Sequence, residues 1–171
     1  ICKIGRKEMS ELYRCGSAEF RHSLSRSMQD VTRRYGGIEL TERQAPLTED
    51  ICTVHTVMEG DCRADLFLCA DTSLLARLAR NIMCQDTVTG QDIADVATEY
   101  FNVVCGRISS LLFQPGHKAP RFQVPCFHTG RYLPEREPAS WWDIGYNSLH
   151  NESMHLVICL GPPSGGKPPS S

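Results

Sequence analysis

Two polar residues stand out because their types and spacing could do chemistry: Glu99 and Asn102, in the segment Glu99-Tyr100-Phe101-Asn102. Three residues apart on a helix, their Cβ atoms lie about 5–6 Å from each other, so the two side chains are neighbours on one face. A carboxamide donates and accepts hydrogen bonds and can hold a water molecule, whereas a carboxylate makes charge-assisted hydrogen bonds to a cation. The four-residue pattern alone is weakly specific, since solvated helix faces routinely carry Glu and Asn.

The helix that must position this pair is predicted to begin at the capping box Thr89-Gly90-Gln91-Asp92. It can run to Phe113, before Pro115-Gly116 ends it. With about 100° between successive residues, the apolar side chains form a stripe that predicts the core-facing side. The stripe consists of Ile93, Ala97, Tyr100, Val104, Ile108 and Leu111, with Phe101 and Leu112 at its flank.

The opposite face of this helix is predicted to point away from the core. It holds Asp95, Glu99, Asn102, Gly106 and Ser109. A glycine inside a helix costs about 1 kcal/mol relative to alanine, so Gly106 either lets another backbone approach or leaves room for a partner. Tyr100 and Phe101 turn toward the core or its flank and leave the face of Glu99 and Asn102 unobstructed.

Composition and charge exclude several classes of protein. The 171-residue chain is 41% hydrophobic and has a net charge of −2, which suits one globular domain and argues against a nucleic-acid surface. No apolar run reaches the roughly 18 residues that a membrane helix needs, so no membrane association is expected. We predict a cytoplasmic protein.

The cysteines agree with a reducing compartment. Nine are scattered singly without a C-x-x-C pair, which favours free thiols over a disulfide framework. Cys69, Cys105 and Cys159 lie in apolar runs and are expected to pack as small hydrophobic residues. The closest grouping of possible metal ligands, His150, His155 and Cys159, is too loosely spaced to predict a zinc site.

The other elements predict an α+β domain, in which helices cover one face of a mainly antiparallel sheet. The order is helix, two strands, two helices, three strands. We divide the chain into a short lead-in (1–16), a single domain (17–161) and a Gly/Pro/Ser-rich tail (162–171) that is expected to be disordered. Around the long helix, the elements are a helix over 17–35, a hairpin of strands 51–58 and 62–69, a helix over 74–83, and strands 121–127, 141–146 and 154–160.

The segment from Asp92 to Gly106 resembles the signature helix of the CheC/CheX/FliY chemotaxis phosphatases, in which an acidic lead-in precedes E-x-x-N, a small residue and Gly. The resemblance extends diffusely over about residues 17–161. CheC-type members carry two E-x-x-N helices and CheX-type members carry one, and here only Glu99 is followed three residues later by Asn. The chain is therefore identified as resembling the CheX type. Tyr100 and Phe101 stand where the family often has Leu and Gly, and Cys105 replaces a usual Ala.

The resemblance implies a CheC/CheX-like fold and hydrolysis of the aspartyl phosphate of a CheY-like receiver domain. In that reaction Asn102 would position the attacking water and Glu99 would anchor the receiver's active-site Lys. Asp95, Gly106 and Ser109 would contact the receiver. The Mg²⁺ would be supplied by the phosphorylated receiver, this chain binding no cofactor itself, and the protein would be a homodimer. Two alternatives stay open: a non-catalytic domain that binds a receiver or a flagellar-switch component, and a metal- or redox-dependent enzyme.

Overall fold

The computed structural model describes residues 18–60, 63–112, 119–134 and 141–160. The predicted lead-in (1–16) and tail (162–171) lie outside these ranges, as do Asp61, Cys62 and Phe113. The helices are α1 (Ala18–Gly36), α2 (Thr72–Met83) and α3 (Gly90–Leu112). The strands are β1 (Leu40–Glu42), β2 (Ile51–Glu59), β3 (Ala64–Asp71), β4 (Arg121–Phe122), β5 (Cys126–Thr129), β6 (Trp141–Ser148) and β7 (Ser153–Leu160). No helix in these ranges is long and apolar enough to span a bilayer.

All described strands join one antiparallel sheet in the order β1-β6-β7-β3-β2-β4, and β5 also pairs with β2. The predicted α+β class is confirmed. The predicted hairpin is confirmed as β2–β3, which pairs Met58 with Ala64 at its closed end.

Strand β7 lies inside the sheet between β6 and β3, so its apolar sequence reflects burial rather than an edge that needs a partner. Homodimerisation stays a prediction.

Two strands differ from the sequence-based expectation. The strand predicted over 121–127 is interrupted, because residues 123–125 separate β4 from β5 and Pro125 has no N–H to donate to a ladder. Strand β1 was not predicted. It has only three residues and is held by β6, to which it pairs through Leu40 and Ser148 across more than 100 positions of the chain.

The helices cover one face of the sheet, and the main core lies between them. Alternate strand residues such as Val54, Leu66 and Leu156 meet helix residues such as Leu24 and Leu78 in one buried cluster. The opposite face carries a second, smaller cluster without helix residues: Phe67, Cys69, Val157 and Cys159, against which Leu47, Leu133 and Trp141 pack. The core therefore holds the long helix α3 along one side, which leaves most of its other side for solvent or a partner.

The predicted burial of Cys69, Cys105 and Cys159 is confirmed. Burial raises the pKa of the Cys105 thiol to about 12, and burial raises that of Cys159 to about 11. These thiols are therefore protonated at neutral pH and offer no thiolate for redox or nucleophilic chemistry. In the part of the chain that the structure describes, no group of three or more His, Cys, Asp or Glu side chains is arranged to hold a metal ion.

The capping box at the start of α3 is confirmed. The backbone N–H of Thr89 donates to Oδ2 of Asp92 at 2.7 Å, and the Thr89 hydroxyl donates to the same oxygen at 2.8 Å. The backbone N of Asp92 lies 3.1 Å from Oγ1 of Thr89. These hydrogen bonds to Thr89 hold the pKa of Asp92 below its ordinary value. The first turn of the helix that carries Glu99 and Asn102 is therefore fixed by its own sequence.

We expect Thr89→Ala to lower the free energy of unfolding by about 1 kcal/mol, because the variant loses the side-chain half of the box. Chemical denaturation followed by circular dichroism measures the change. Thr87→Ala is the matched control, since Thr87 is exposed and precedes the helix. Equal stability of the two variants would show that the box contributes nothing to the fold.

A buried histidine ties β7 to β6 and to the loop between β1 and β2. Nδ1 of His155 lies 2.7 Å from Oδ1 of Asp143, and Nε2 lies 2.6 Å from the backbone oxygen of Ala45. Since a carbonyl oxygen only accepts, an imidazolium that donates from both nitrogens satisfies both contacts. The hydrogen bond to Asp143 raises the pKa of His155. Burial raises the pKa of Asp143, but the hydrogen bond and charge of His155 outweigh it and leave this pKa lowered.

We expect the stabilising contribution of this pair to shrink as the pH rises above neutrality. Because the folded pKa of His155 exceeds its unfolded value of about 6.5, the contribution is complete below that pH and is lost as the pH passes the folded pKa. On the acid side, the contribution of Asp143 is complete above about pH 3.9 and is lost as the pH falls through its lowered folded pKa. Denaturation of wild type and His155→Gln across pH measures the difference, with the exposed His150→Gln as control. A difference that grows toward alkaline pH would contradict the assignment.

Candidate functional site

The long helix α3 has one buried and one exposed face. Its buried residues are Ala97, Tyr100, Phe101, Val104, Cys105 and Ile108, and Ile93 packs against them from a partly buried position. The predicted stripe is therefore confirmed over most of its length. It is wrong at Leu111, which is 44% exposed, because the last turn of the helix extends beyond the buried layer that ends at Ile108.

Glu99 and Asn102 lie on the exposed face of α3. Within the described ranges, neither side chain makes a hydrogen bond or an ion pair, so the fold does not use them. The structure thus places the two together, as their spacing predicts, with their polar groups available to an external partner. Gly106 lies one turn further along, and a Cβ built there would meet nothing within 4 Å. Of the two explanations for this glycine, room for a partner fits the structure, and close packing within the described chain does not.

The other two predicted site residues differ from each other. Asp95 is exposed, and its Oδ1 accepts a hydrogen bond from Nε2 of Gln91 at 2.8 Å, which leaves its charge without a cationic partner in the described residues. Ser109 is partly buried, and its hydroxyl donates to the backbone oxygen of Pro120 at 3.2 Å. The structure therefore gives Ser109 a part in holding the segment before β4 against the helix, apart from any contact with a partner.

The two aromatic residues inside the motif anchor the site from beneath. Tyr100 and Phe101 are fully buried, Phe101 more deeply than a position at the flank of the stripe predicts, and neither obstructs the polar face. The hydroxyl of Tyr100 lies 2.7 Å from Oγ1 of Thr32 on α1 and 3.8 Å from Sδ of Met154 on β7. Burial raises the pKa of Tyr100, so the phenol stays neutral. Glu99 and Asn102 thus flank residues that are fixed to a neighbouring helix and to the sheet.

A cleft beside Glu99 was not predicted from the sequence. The helix-junction cleft lies where the ends of α1 and α2 meet the first turns of α3, and it encloses about 240 Å³. It is lined by Tyr35, Ile82, Met83, Asp92, Asp95, Val96 and Glu99. The sequence does contain a signal of the apolar floor, since Tyr35 ends the apolar stripe of α1 and Ile82 and Met83 end that of α2. Only the packing of the three helices brings these residues together.

The comparisons with known proteins agree with this fold. Residues 52–140 match the family of chemotaxis phosphatase CheX. The matched segment spans more than half of the chain and runs from β2 through the whole of α3 to β5. The chain therefore belongs to the CheX family. Comparison with curated protein sequences gives no match.

Solved structures share the fold at low sequence identity. Chemotaxis protein CheX from Desulfovibrio desulfuricans has a TM-score of 0.69 at 16% identity, over 84% of this chain and 99% of that chain. CheX from Vibrio vulnificus has a TM-score of 0.69 at 19% identity, over 84% and 97%. A chain of the CheX–CheY–BeF3–Mg²⁺ complex from Borrelia burgdorferi has a TM-score of 0.70 at 13% identity, over 84% and 98%. At these identities the likeness establishes the fold.

Proposed function

We propose that this protein is a phosphatase that hydrolyses the aspartyl phosphate of a CheY-like receiver domain in the cytoplasm. The observation that carries the proposal is the exposed pair Glu99 and Asn102, which has no partner in the described chain and lies on a helix whose intervening residues are locked in the core. Membership of the CheX family supports the reaction class. The related complex of CheX with CheY supports a receiver as the partner.

The reaction requires this protein to position a water molecule and does not require it to form a covalent bond to the substrate. In the proposed step, a water oxygen forms a bond to phosphorus as the bond from phosphorus to the aspartyl oxygen breaks. The products are the free carboxylate of the receiver and inorganic phosphate. The phosphate takes up the hydroxyl of the water, and the second proton of the water passes to a phosphate oxygen or to solvent. The Mg²⁺ that the receiver binds offsets charge on the phosphoryl oxygens. The protein's share is therefore the position of the attacking water.

Asn102 fits this role by its chemistry and its exposure. Its carboxamide oxygen accepts a hydrogen bond from the water, and its NH2 group donates a hydrogen bond to an oxygen of the phosphoryl group or of the water. The side chain is neutral and does not act as a base near neutral pH. Because Tyr100 and Phe101 hold the helix rigid from below, the carboxamide is presented in a restricted position rather than on a mobile loop.

Glu99 is proposed to pair with the active-site Lys of the receiver. A charge-assisted hydrogen bond fixes the approach of the helix and competes for a cation that otherwise holds the phosphoryl group. We expect Glu99→Ala to raise KM and lower kcat, each by about tenfold, since the interaction that it removes forms on docking and becomes stronger in the transition state. Glu49→Ala is the matched control, because Glu49 is exposed beside the start of β2. Unchanged kinetics in Glu99→Ala would remove the assignment.

The proposed function is tested by the decay of a phosphorylated CheY-like receiver from the same organism, with Mg²⁺, in the presence and absence of this protein. We expect wild type to accelerate the release of inorganic phosphate. Several receivers are tried in parallel, and binding of each is measured separately. Binding without acceleration would favour the alternative of a docking domain, in which the face of Glu99 and Asn102 serves as an interface only.

A further inference from the structure

The helix-junction cleft combines an apolar floor with an acidic rim. Tyr35 is 44% exposed there, and Ile82, Met83 and Val96 are only partly buried, which is costly for apolar side chains that face water. Three helices contribute these residues, so the cleft is a product of the core packing and not of one mobile loop. Its volume of about 240 Å³ suits one or two side chains of a protein partner rather than a large cofactor.

The charge of the cleft has one sign. Asp92, Asp95 and Glu99 line it, and no Lys or Arg does within the described residues. Asp92 is ionised at neutral pH, since the hydrogen bonds from Thr89 lower its pKa. Among the described residues, the side chain of Asp95 forms a hydrogen bond only with the neutral amide of Gln91. The arginines at the ends of the neighbouring helices, Arg33, Arg34 and Arg80, do not line the cleft, and Arg33 is paired with Asp30.

We propose that the helix-junction cleft is a second contact site for the receiver domain, filled by an apolar side chain that lies next to a Lys or Arg on the receiver surface. The apolar side chain packs on the apolar floor, and the carboxylates of Asp92 and Asp95 bind the neighbouring cation at the rim. This inference rests on the proposed function for the identity of the partner. The cleft would be a specificity site, because it would distinguish receivers by surface residues that lie outside their phosphorylation site.

Continuity with the catalytic face supports the receiver as the occupant. Glu99 both lines the cleft and belongs to the proposed catalytic pair, so a domain bound at Glu99 lies directly against the cleft. Asp95 is one helical turn before Glu99, about 6 Å along the axis. A basic and apolar surface segment is complementary to the cleft in charge and polarity. A membrane or nucleic acid is a poorer occupant, because both present phosphates that the three carboxylates repel.

The test uses the full chain and two surface variants, Asp95→Asn and Tyr35→Ala. We expect each to raise KM for the phosphorylated receiver, and the Kd for the receiver loaded with BeF3⁻ and Mg²⁺, by about tenfold with kcat unchanged. The effect of Asp95→Asn is expected to diminish at high salt. Glu49→Gln and Tyr132→Ala are matched controls. Glu49 precedes Asp50, whose backbone oxygen accepts a hydrogen bond from Thr72 at the start of α2, whereas Ile82 and Met83 line the cleft at the other end of this 12-residue helix. The ring of Tyr132 lies 6.2 Å from that of Phe67, which belongs to the cluster on the opposite sheet face.

The outcomes separate this inference from the proposed function. Raised KM and Kd in the cleft variants, with turnover by wild type, support both. Wild-type KM and Kd in the cleft variants would overturn the second contact site and leave the phosphatase standing. Weakened receiver binding without turnover by wild type would support the cleft and overturn the phosphatase. If no receiver binds the wild-type chain, a receiver is not the occupant of the cleft, and both the second contact site and the proposed function are wrong.

Discussion

Replacing Asn102 by Ala is expected to reduce kcat for the phosphorylated receiver by about 100-fold, while KM changes by less than about threefold. The variant keeps the helix, since alanine is the better helix former and Asn102 is exposed without a partner in the described chain. What it loses is the group that orders the attacking water. Rates of phosphate release over a range of receiver concentrations separate the two constants.

Two further variants sharpen this result. Asn102→Asp keeps the size of the side chain but removes its N–H donors and adds a negative charge near the phosphoryl group, so it is expected to be as slow as Asn102→Ala. Asn102→Gln keeps the carboxamide but displaces it by one methylene, and an intermediate rate is expected. Wild-type turnover in Asn102→Ala would show that the water is positioned elsewhere, and a rise in KM alone would make Asn102 a docking residue.

The second large effect concerns the fold beneath the site. Phe101→Ala is expected to lower the free energy of unfolding by about 3–5 kcal/mol, since a fully buried aromatic ring is removed and a cavity remains. Chemical denaturation measures the loss. Because typical domains are stable by only about 5–15 kcal/mol, this one change threatens the native state.

Leu111→Ala is the matched control on the same helix. Leu111 is also a large apolar residue, but it is 44% exposed, and its removal is expected to change the unfolding free energy by less than about 0.5 kcal/mol. Comparable losses in the two variants would mean that the far end of α3 is buried in solution. The comparison therefore tests where the buried layer ends, at Ile108 or one turn later.

Features set by neighbours in the chain were predictable from the sequence. The capping box at Thr89, the β2–β3 hairpin and the two faces of α3 each depend on residues within a few positions of one another. The position of Glu99 and Asn102 on the exposed face follows from helical geometry alone. The fold class could also be inferred, because the order of helical and strand patterns restricts how layers stack.

Features set by distant partners could not be read in this way. Strand β1 exists because β6 pairs with it, and nothing in three residues indicates that. The hydrogen bond from Ser109 to Pro120 depends on the path of the segment that returns to the helix, so the serine looked available. The cleft beside Glu99 requires the relative positions of three helices, which periodicity within each helix does not contain.

The capping box and the buried aromatic residues together fix the number of residues between the start of α3 and Glu99. The box at Thr89 sets the start of α3, and each residue then turns the helix by about 100°. One inserted residue between Gly90 and Glu99 would turn this motif by about 100° relative to the capped first turn, which swings Tyr100 and Phe101 toward water and carries Glu99 and Asn102 off their face. Variation in length is therefore expected in the connections of relatives, such as residues 84–88, while the eleven positions from Thr89 to Glu99 keep their number.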